Sequence, residues 1–317
     1  MKKLKIYLPV LFLLLVSGAV LYALNLFADM LIHPYWHVPG LTASCSDEQK
    51  ESSPELCDGR ALETVKKKYG DSVEEISLPM EGSGKIQGWH FPLKNADSAV
   101  IFVHGAGGDR RNGYRYLPFF SSAGYSYISY DSPNHGISSN DGRGVSYGER
   151  EKKAFAQVVR FAESKYKNIF VFASSAGCSS VLLSQNEWKG KVNAVIFENP
   201  YYSLRRLVED NPTAKALPGF FLNLALWNAG RKGGFSVDDI RNADLLEGFP
   251  DIPVLVAHGT ADAVIPFGHG MDFYGKLKVQ NKKFLKGEGA GHSRVWNRIG
   301  KEFEKEVLET FKKGEKK

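Results

Sequence analysis

Asn168-Ile-Phe-Val-Phe-Ala-Ser-Ser-Ala-Gly-Cys-Ser-Ser-Val-Leu-Leu183 reads as an apolar strand, a sharp turn of small residues and the start of a helix. Ala173 and Gly177 lie two before and two after Ser175, so the chain can reverse there and hold the Ser175 hydroxyl out at the end of the strand. The alternative is an ordinary Ser/Gly-rich loop. Centring the turn on Ser174 puts bulky Phe172 in the first small position, and centring it on Ser179 puts Val181 in the last, so Ser175 is the candidate nucleophile.

A serine hydroxyl is a poor nucleophile near neutral pH and needs a base, itself held in one tautomer by an acid. Two downstream segments offer these groups. Asp262 lies in His258-Gly-Thr-Ala-Asp-Ala-Val-Ile-Pro266, after the apolar run Val254 to Ala257, and His292 lies in Gly289-Ala-Gly-His-Ser293, after the run Lys282 to Leu285. Each alone suits a structural turn. Together they give the order Ser, Asp, His, each just after a predicted strand, an arrangement of the hydrolase kind. His104-Gly-Ala-Gly-Gly108 follows the run Ser98 to Val103, and its glycines permit a turn that aims an amide at a substrate oxygen. Ala106 and Ala176, the residue after the nucleophile, are the expected oxyanion donors. Neither GxxxxGK[ST] nor GxGxxG is present, which argues against a phosphate-cradling loop.

Around these motifs, short apolar runs alternate with helical stretches. Strands are predicted at 73–80 and 85–92, paired about the turn Glu81-Gly-Ser-Gly84, then at 98–103, 125–130, 168–172, 192–197, 254–257 and 282–285. Between them, Glu149 to Tyr166 carries Ala154, Val158, Phe161 and Ala162 at helical spacing. The class is therefore α/β, with a mostly parallel doubly wound sheet and helices on both faces. More than fifty residues separate Phe197 from Val254, including Phe220-Phe-Leu-Asn-Leu-Ala-Leu-Trp227. This interval is either a small cap, at 199–250, or a packed core helix.

The motif set from His104, through Tyr130-Asp-Ser-Pro-Asn-His-Gly-Ile-Ser138 and the Ser175 turn, to His258–Asp262 and Gly291-His292 resembles the α/β-hydrolase family. The resemblance runs from about Val73 to the last helix and implies the α/β-hydrolase fold. It also implies Ser175 as nucleophile, Asp262 as acid, His292 as base, and Ala106 with Ala176 as oxyanion donors. Two positions depart from the family pattern: Ala173 replaces the usual glycine, and Asn134-His135 stands where many members carry Arg-Gly-x-Gly. His104 and His135 are rival bases, one expected to order its own turn and the other without an acid at a family position.

The amino end differs in kind. After Lys2, Lys3 and Lys5, the 23 residues from Ile6 to Ala28 are almost wholly apolar, enough to span a bilayer. The run exceeds the h-region of a cleavable signal peptide, the rival reading, and its basic flank places the rest of the chain on the non-cytoplasmic side, periplasmic or extracellular in a bacterium. With Ile32-His-Pro34 after it, this end resembles the membrane-tethered branch that includes acyl-protein depalmitoylases and related lipases. Residues 1–30 are thus expected to anchor, 31–70 to link through a short helix, and 71–317 to form the hydrolase domain. Cys45 and Cys57 flank a polar acidic segment and are either a disulfide of an oxidising compartment or two surface thiols, while Cys178 is a packing residue.

The net charge of +6 owes much to lysines at both ends and forms no clustered basic face, so no nucleic-acid partner is expected. No HExxH or paired Cys/His spacing calls for a metal, and no cofactor is expected. The sequence leads to a membrane-anchored serine hydrolase acting on an acyl ester or thioester. A serine peptidase of the aminopeptidase or dipeptidyl type, with Glu198 as amine-binding acid, and a non-catalytic binding protein on the same fold are its alternatives.

Overall fold

Val100 and Phe102 point to one face of the central sheet and Ile101 and Val103 to the other, and all four are buried, as strands covered on both sides require. The computed structural model describes residues 2–34, 37, 40, 57, 61–69, 73–80 and 84–316. The strands are β1 (Glu74–Pro79), β2 (Lys85–Phe91), β3 (Ser98–Val103), β4 (Ser126–Tyr130), β5 (Asn168–Ser174), β6 (Val192–Glu198), β7 (Val254–Gly259) and β8 (Lys282–Gly287). They form one sheet in the order β1-β2-β4-β3-β5-β6-β7-β8, antiparallel at β1/β2 and β2/β4 and parallel elsewhere. The predicted ribbon at 73–92 forms, although Glu81 to Ser83 of its turn lie outside the described residues.

The helices are α1 (Lys2–Ile32), α2 (Ala61–Tyr69), α3 (Leu117–Ser122), α4 (Glu151–Glu163), α5 (Ala176–Leu183), α6 (Gln185–Trp188), α7 (Leu204–Asp210), α8 (Pro212–Lys215), α9 (Gly219–Gly233), α10 (Asn242–Leu246), α11 (Phe267–Lys276) and α12 (Val295–Gly314). Ala154, Phe155 and Val158 of α4 pack with Cys178 and Val181 of α5 and Phe273 of α11 against one face. Leu117 and Phe120 of α3 pack with Phe303, Val307 and Phe311 of α12 against the other. Phe311 stacks on Phe170 of β5 with centroids 4.4 Å apart and on Phe120 at 6.0 Å. The exposed edge strand β8 carries Lys282, Lys283 and Lys286, charges that discourage pairing with another chain. These layers are the architecture expected from the sequence.

Helices α7 to α10 fill the long interval between β6 and β7. The stretch Phe220 to Trp227 belongs to α9, which buries Leu222, Ala225, Leu226 and Ala229 while Phe220, Leu224 and Trp227 stay exposed. It is not a core helix. Its buried side meets the carboxyl half of α1, in a cluster of Ala28, Ile32 and Ala229. Cys57 is disulfide-bonded and Cys178 is a free buried thiol, while Cys45 lies outside the described residues.

The two small positions around Ser175 are unequal. A Cβ on Gly177 would sit 2.4 Å from the Val103 carbonyl oxygen, because α5 starts directly against β3. Ala173 lies within β5, paired with Val103 and Phe197, and its methyl is core. Alanine in place of glycine therefore costs nothing at 173. Gly177→Ala is expected to destabilise the fold by about 1–3 kcal/mol through overpacking, against about 1 kcal/mol for Ala173→Gly. Urea unfolding of the full chain in detergent checks this, and equal midpoints for wild type and Gly177→Ala contradict it.

Candidate active site

Ser175 stands between β5 and α5 with φ 55° and ψ −124°, a backbone that L-residues seldom adopt. Its amide donates to the Glu198 carbonyl at 2.9 Å, and the Cys178 amide donates to the Ser175 carbonyl at 3.0 Å, so strand and helix fix the turn from both sides. His292, between β8 and α12, brings Nε2 to 3.1 Å from Ser175 Oγ. Its Nδ1 donates to Asp262 Oδ2 at 2.8 Å. Thus the three residues expected from the sequence form one hydrogen-bonded chain.

Asp262 is held by more than His292. The amides of Val264 and Ile265 each donate to Oδ1 at 2.8 Å, and Asn199 Nδ2 donates to Oδ2 at 2.6 Å. Burial by itself raises the Asp262 pKa, but the bonds from His292 and the two amides outweigh it and hold the carboxyl below its ordinary range. Asn199, directly after β6 at φ 50°, has no motif of its own in the sequence, and a polar residue that ends a buried strand beside the acid's own strand is the signal that marks it. His258, at the end of β7, gives its Nε2 proton to the Ile265 carbonyl at 2.9 Å, and burial keeps its pKa low.

Ser174 is turned elsewhere. Its hydroxyl lies 2.9 Å from Ser293 Oγ and 3.3 Å from Glu198 Oε2. Glu198 is fully buried and accepts also from Tyr116 and from the Val295 amide, so it braces strand ends rather than facing a ligand amine. This corrects its expected use as an amine-binding acid.

The loop after β3 lies directly against the serine, since a Cβ on Gly105 would be 2.9 Å from Ser175 Cβ. Ala106 comes next in that loop. Ala176 is the first residue of α5, where amides lack an intrahelical acceptor. His135 Nε2 donates to the Ala106 carbonyl at 2.6 Å and so ties the Asn134-His135 departure to this loop. His104 donates from Nδ1 to the Gly105 carbonyl and accepts from the Ser132 amide at Nε2, which keeps it within its own turn. Burial lowers the pKa of both His104 and His135. Arg110 and Asp131 form a buried pair at 2.7 Å beneath the same loops, and Gly136, at φ +48°, leaves room for the Asp131 carboxylate.

Ala106 and Ala176 also border an apolar cluster that includes Tyr201, Leu222, Leu226 and Ile265, with Phe27 and Leu31 of α1 against it. A separate groove of about 570 Å³, lined by Asn223, Trp227, Arg231, Phe235 and Asp238, lies on the insertion and includes none of Ser175, Asp262 or His292. Among the described residues no group of His, Cys, Asp and Glu is placed to hold a metal.

Residues 100–298 match the model of the Alpha/beta hydrolase family. The chain belongs to that family. It is similar to YfhR of Escherichia coli O157:H7, 20% identical over 245 residues that cover 75% of this chain and 80% of that one. It is similar also to YfhR of Salmonella typhimurium, 22% identical over 242 residues, covering 70% and 77%. Among solved structures, the Pyrococcus furiosus esterase Pf2001 shares the fold with a TM-score of 0.64 at 18% identity, over 88% of this chain and 98% of the other. Est1E from Butyrivibrio proteoclasticus, bound to ferulic acid, shares it with a TM-score of 0.59 at 17% identity, over 75% and 100%.

The lowered Asp262 pKa has a direction in stability. The unfolded chain takes up the proton more readily, so this hydrolase keeps the stabilisation above the ordinary value of 3.8 and loses it as pH falls through the lower folded value. Asp262→Asn is expected to flatten the decline of melting temperature between about pH 5 and 2. An unchanged slope in thermal melts across that range contradicts the assignment.

Proposed function

We propose that this alpha/beta hydrolase is a serine esterase or thioesterase that cleaves acyl substrates through an acyl-enzyme. The observation that carries the reading is the unbroken chain Ser175 Oγ, His292 Nε2, His292 Nδ1, Asp262 Oδ2, with both links at hydrogen-bond length. Ser175 Oγ attacks the acyl carbonyl carbon and its proton passes to His292 Nε2. Asp262 holds the imidazole by Nδ1 and stabilises the charge it gains. The amides of Ala106 and Ala176 receive the developing oxyanion. Collapse expels the alcohol or thiol, which takes the proton from His292. Water then attacks the acyl carbon and gives a proton to His292, which returns it to Ser175 as the carboxylic acid leaves.

Support for an acyl group comes from the apolar cluster beside Ala106 and Ala176. An alkyl chain laid along the part-exposed rim of that cluster, where Ala106 is, gains about 0.8 kcal/mol per methylene it buries. In this reading the insertion at 199–250 acts as a cap whose α9 walls the acyl side. Solved esterases of similar fold, from Pyrococcus furiosus and Exiguobacterium antarcticum, agree with the chemistry.

α1 contains the 24-residue stretch Pro9–Ile32, long and apolar enough to cross a membrane, and little of its most apolar part is buried within the protein. The reading makes it an uncleaved anchor with the hydrolase domain on the non-cytoplasmic side. The disulfide at Cys57 fits an oxidising compartment.

Ser175→Ala is expected to lower turnover of p-nitrophenyl esters by about a thousandfold or more and to abolish labelling by a fluorophosphonate. Labelling that persists in the folded variant rules out Ser175, and a wild-type chain inert to both supports a binding protein instead. For topology, protease added to spheroplasts of cells that express the full chain is expected to remove the domain and spare α1. A domain protected until the spheroplast membrane is lysed reverses the orientation.

A further inference from the structure

The carboxyl half of α1 and helix α9 lie side by side in the same direction. Asn228 Nδ2 donates to the Leu24 carbonyl at 3.3 Å and reaches Asn25 Oδ1 at 3.4 Å. Lys232 Nζ meets Asp29 Oδ1 at 2.5 Å, and a Cβ on Gly233 would lie 3.1 Å from Ile32 Cγ2. Contacts that ascend together along both chains mean parallel helices. Phe220 is eight residues before Asn228, so it lies about 12 Å further back along the axis, level with the interior of the Pro9–Ile32 stretch rather than with its end.

The side of α9 turned away from α1 and the insertion is apolar where it runs beside that stretch. Phe220, Leu224 and Trp227, spaced as one helical face, are 76%, 43% and 63% exposed. Large side chains grouped in this way mark an interaction surface. The face changes character toward the end of the helix. Trp227 is followed by Arg231, whose guanidinium sits 5.9 Å from the indole centroid, and then by Lys232. Apolar groups at the deep end, an indole next and cations last is the order of a bilayer from hydrocarbon to headgroup. α1 also exposes large apolar side chains along this length, among them Leu21, Leu26 and Met30.

We infer that α9 is a second membrane-seated element: its Phe220, Leu224 and Trp227 face enters the leaflet beside α1, and Arg231 reaches the phosphate layer. The proposal rests on the reading of α1 as an anchor. It makes the partner of this face a phospholipid bilayer rather than a second copy or another protein. The lysine–aspartate pair and the Asn228 bonds then lie at the membrane boundary, where they hold the two helices in register. The Leu222 and Leu226 side of α9 meets the apolar cluster at Ala106 and Ala176, so the docking helix is also a wall of the proposed acyl site.

The test uses the full chain in vesicles of dioleoylphosphatidylcholine and dioleoylphosphatidylglycerol, with tryptophan emission quenched either by mid-chain brominated phosphatidylcholine or by aqueous iodide. Wild type is compared with Trp227→Phe, a mild change outside the catalytic machinery, and the difference isolates Trp227. The expected result is bromolipid quenching of the Trp227 contribution, most of it lost in Trp227→Phe, with little effect of iodide. Strong iodide quenching without bromolipid quenching, in a chain that resists alkaline carbonate extraction, leaves the anchor standing and overturns the docking face. Shielding from both quenchers with a dimer in cross-linking assigns the face to a second copy and overturns it too. Release of the chain by carbonate removes the anchor, and the proposal with it.

Discussion

Everything at the site depends on one unfavourable backbone conformation. At φ 55° Ser175 is out of the usual range for an L-residue, at a cost of about 1–3 kcal/mol, and it stays there because both sides of the turn are immobile. β5 is one of the two middle strands, paired with β3 and β6 and buried throughout. α5 begins so close to β3 that only glycine fits at 177. The strain lifts one hydroxyl out of the sheet toward His292 and leaves its neighbour Ser174 behind with Glu198 and Ser293.

The sheet was legible because parallel strands buried on both faces leave plain apolar runs, and β3, β5, β6 and β7 begin where those runs begin. Their ends were less legible. β5 continues through Ser174, β6 through Glu198 and β7 through His258 and Gly259, since ladder hydrogen bonds follow the neighbouring strand and not side-chain polarity. Those polar ends are where the site is built. Ser175, Asp262 and His292 carried a sequence signal because the proposed chemistry needs those residue types at strand ends. Asn199 carried little, for its role is set by the distance to Asp262 across two adjacent strands. The bond from His135 to Ala106 likewise joins loops 29 positions apart and has no local pattern.

The amino end shows the same limit. The apolar run predicted a helix, and α1 extends through Ile32. That it runs parallel to α9 is a consequence of Asn228 and Lys232 meeting partners about two hundred positions away, a pairing no periodicity announces. Asn223 and Asn228 interrupt the apolar sequence of α9. In the fold these two are specific ties, one to Arg205 at 2.9 Å and the other to α1, and the remaining exposed face is apolar from Phe220 to Trp227, with Arg231 after it. One helix thus packs against both α1 and the apolar cluster beside Ala106 and Ala176.

The central claim is that the strained turn presents Ser175, and no other hydroxyl, to the base. Its most direct test is to treat the full chain with a fluorophosphonate, digest it, and locate the adduct by fragmentation of the peptide that carries Ser174, Ser175, Ser179 and Ser180. The account predicts one adduct, on Ser175, abolished in His292→Ala. An adduct on Ser174 or any other residue, or labelling that survives loss of the imidazole, contradicts it.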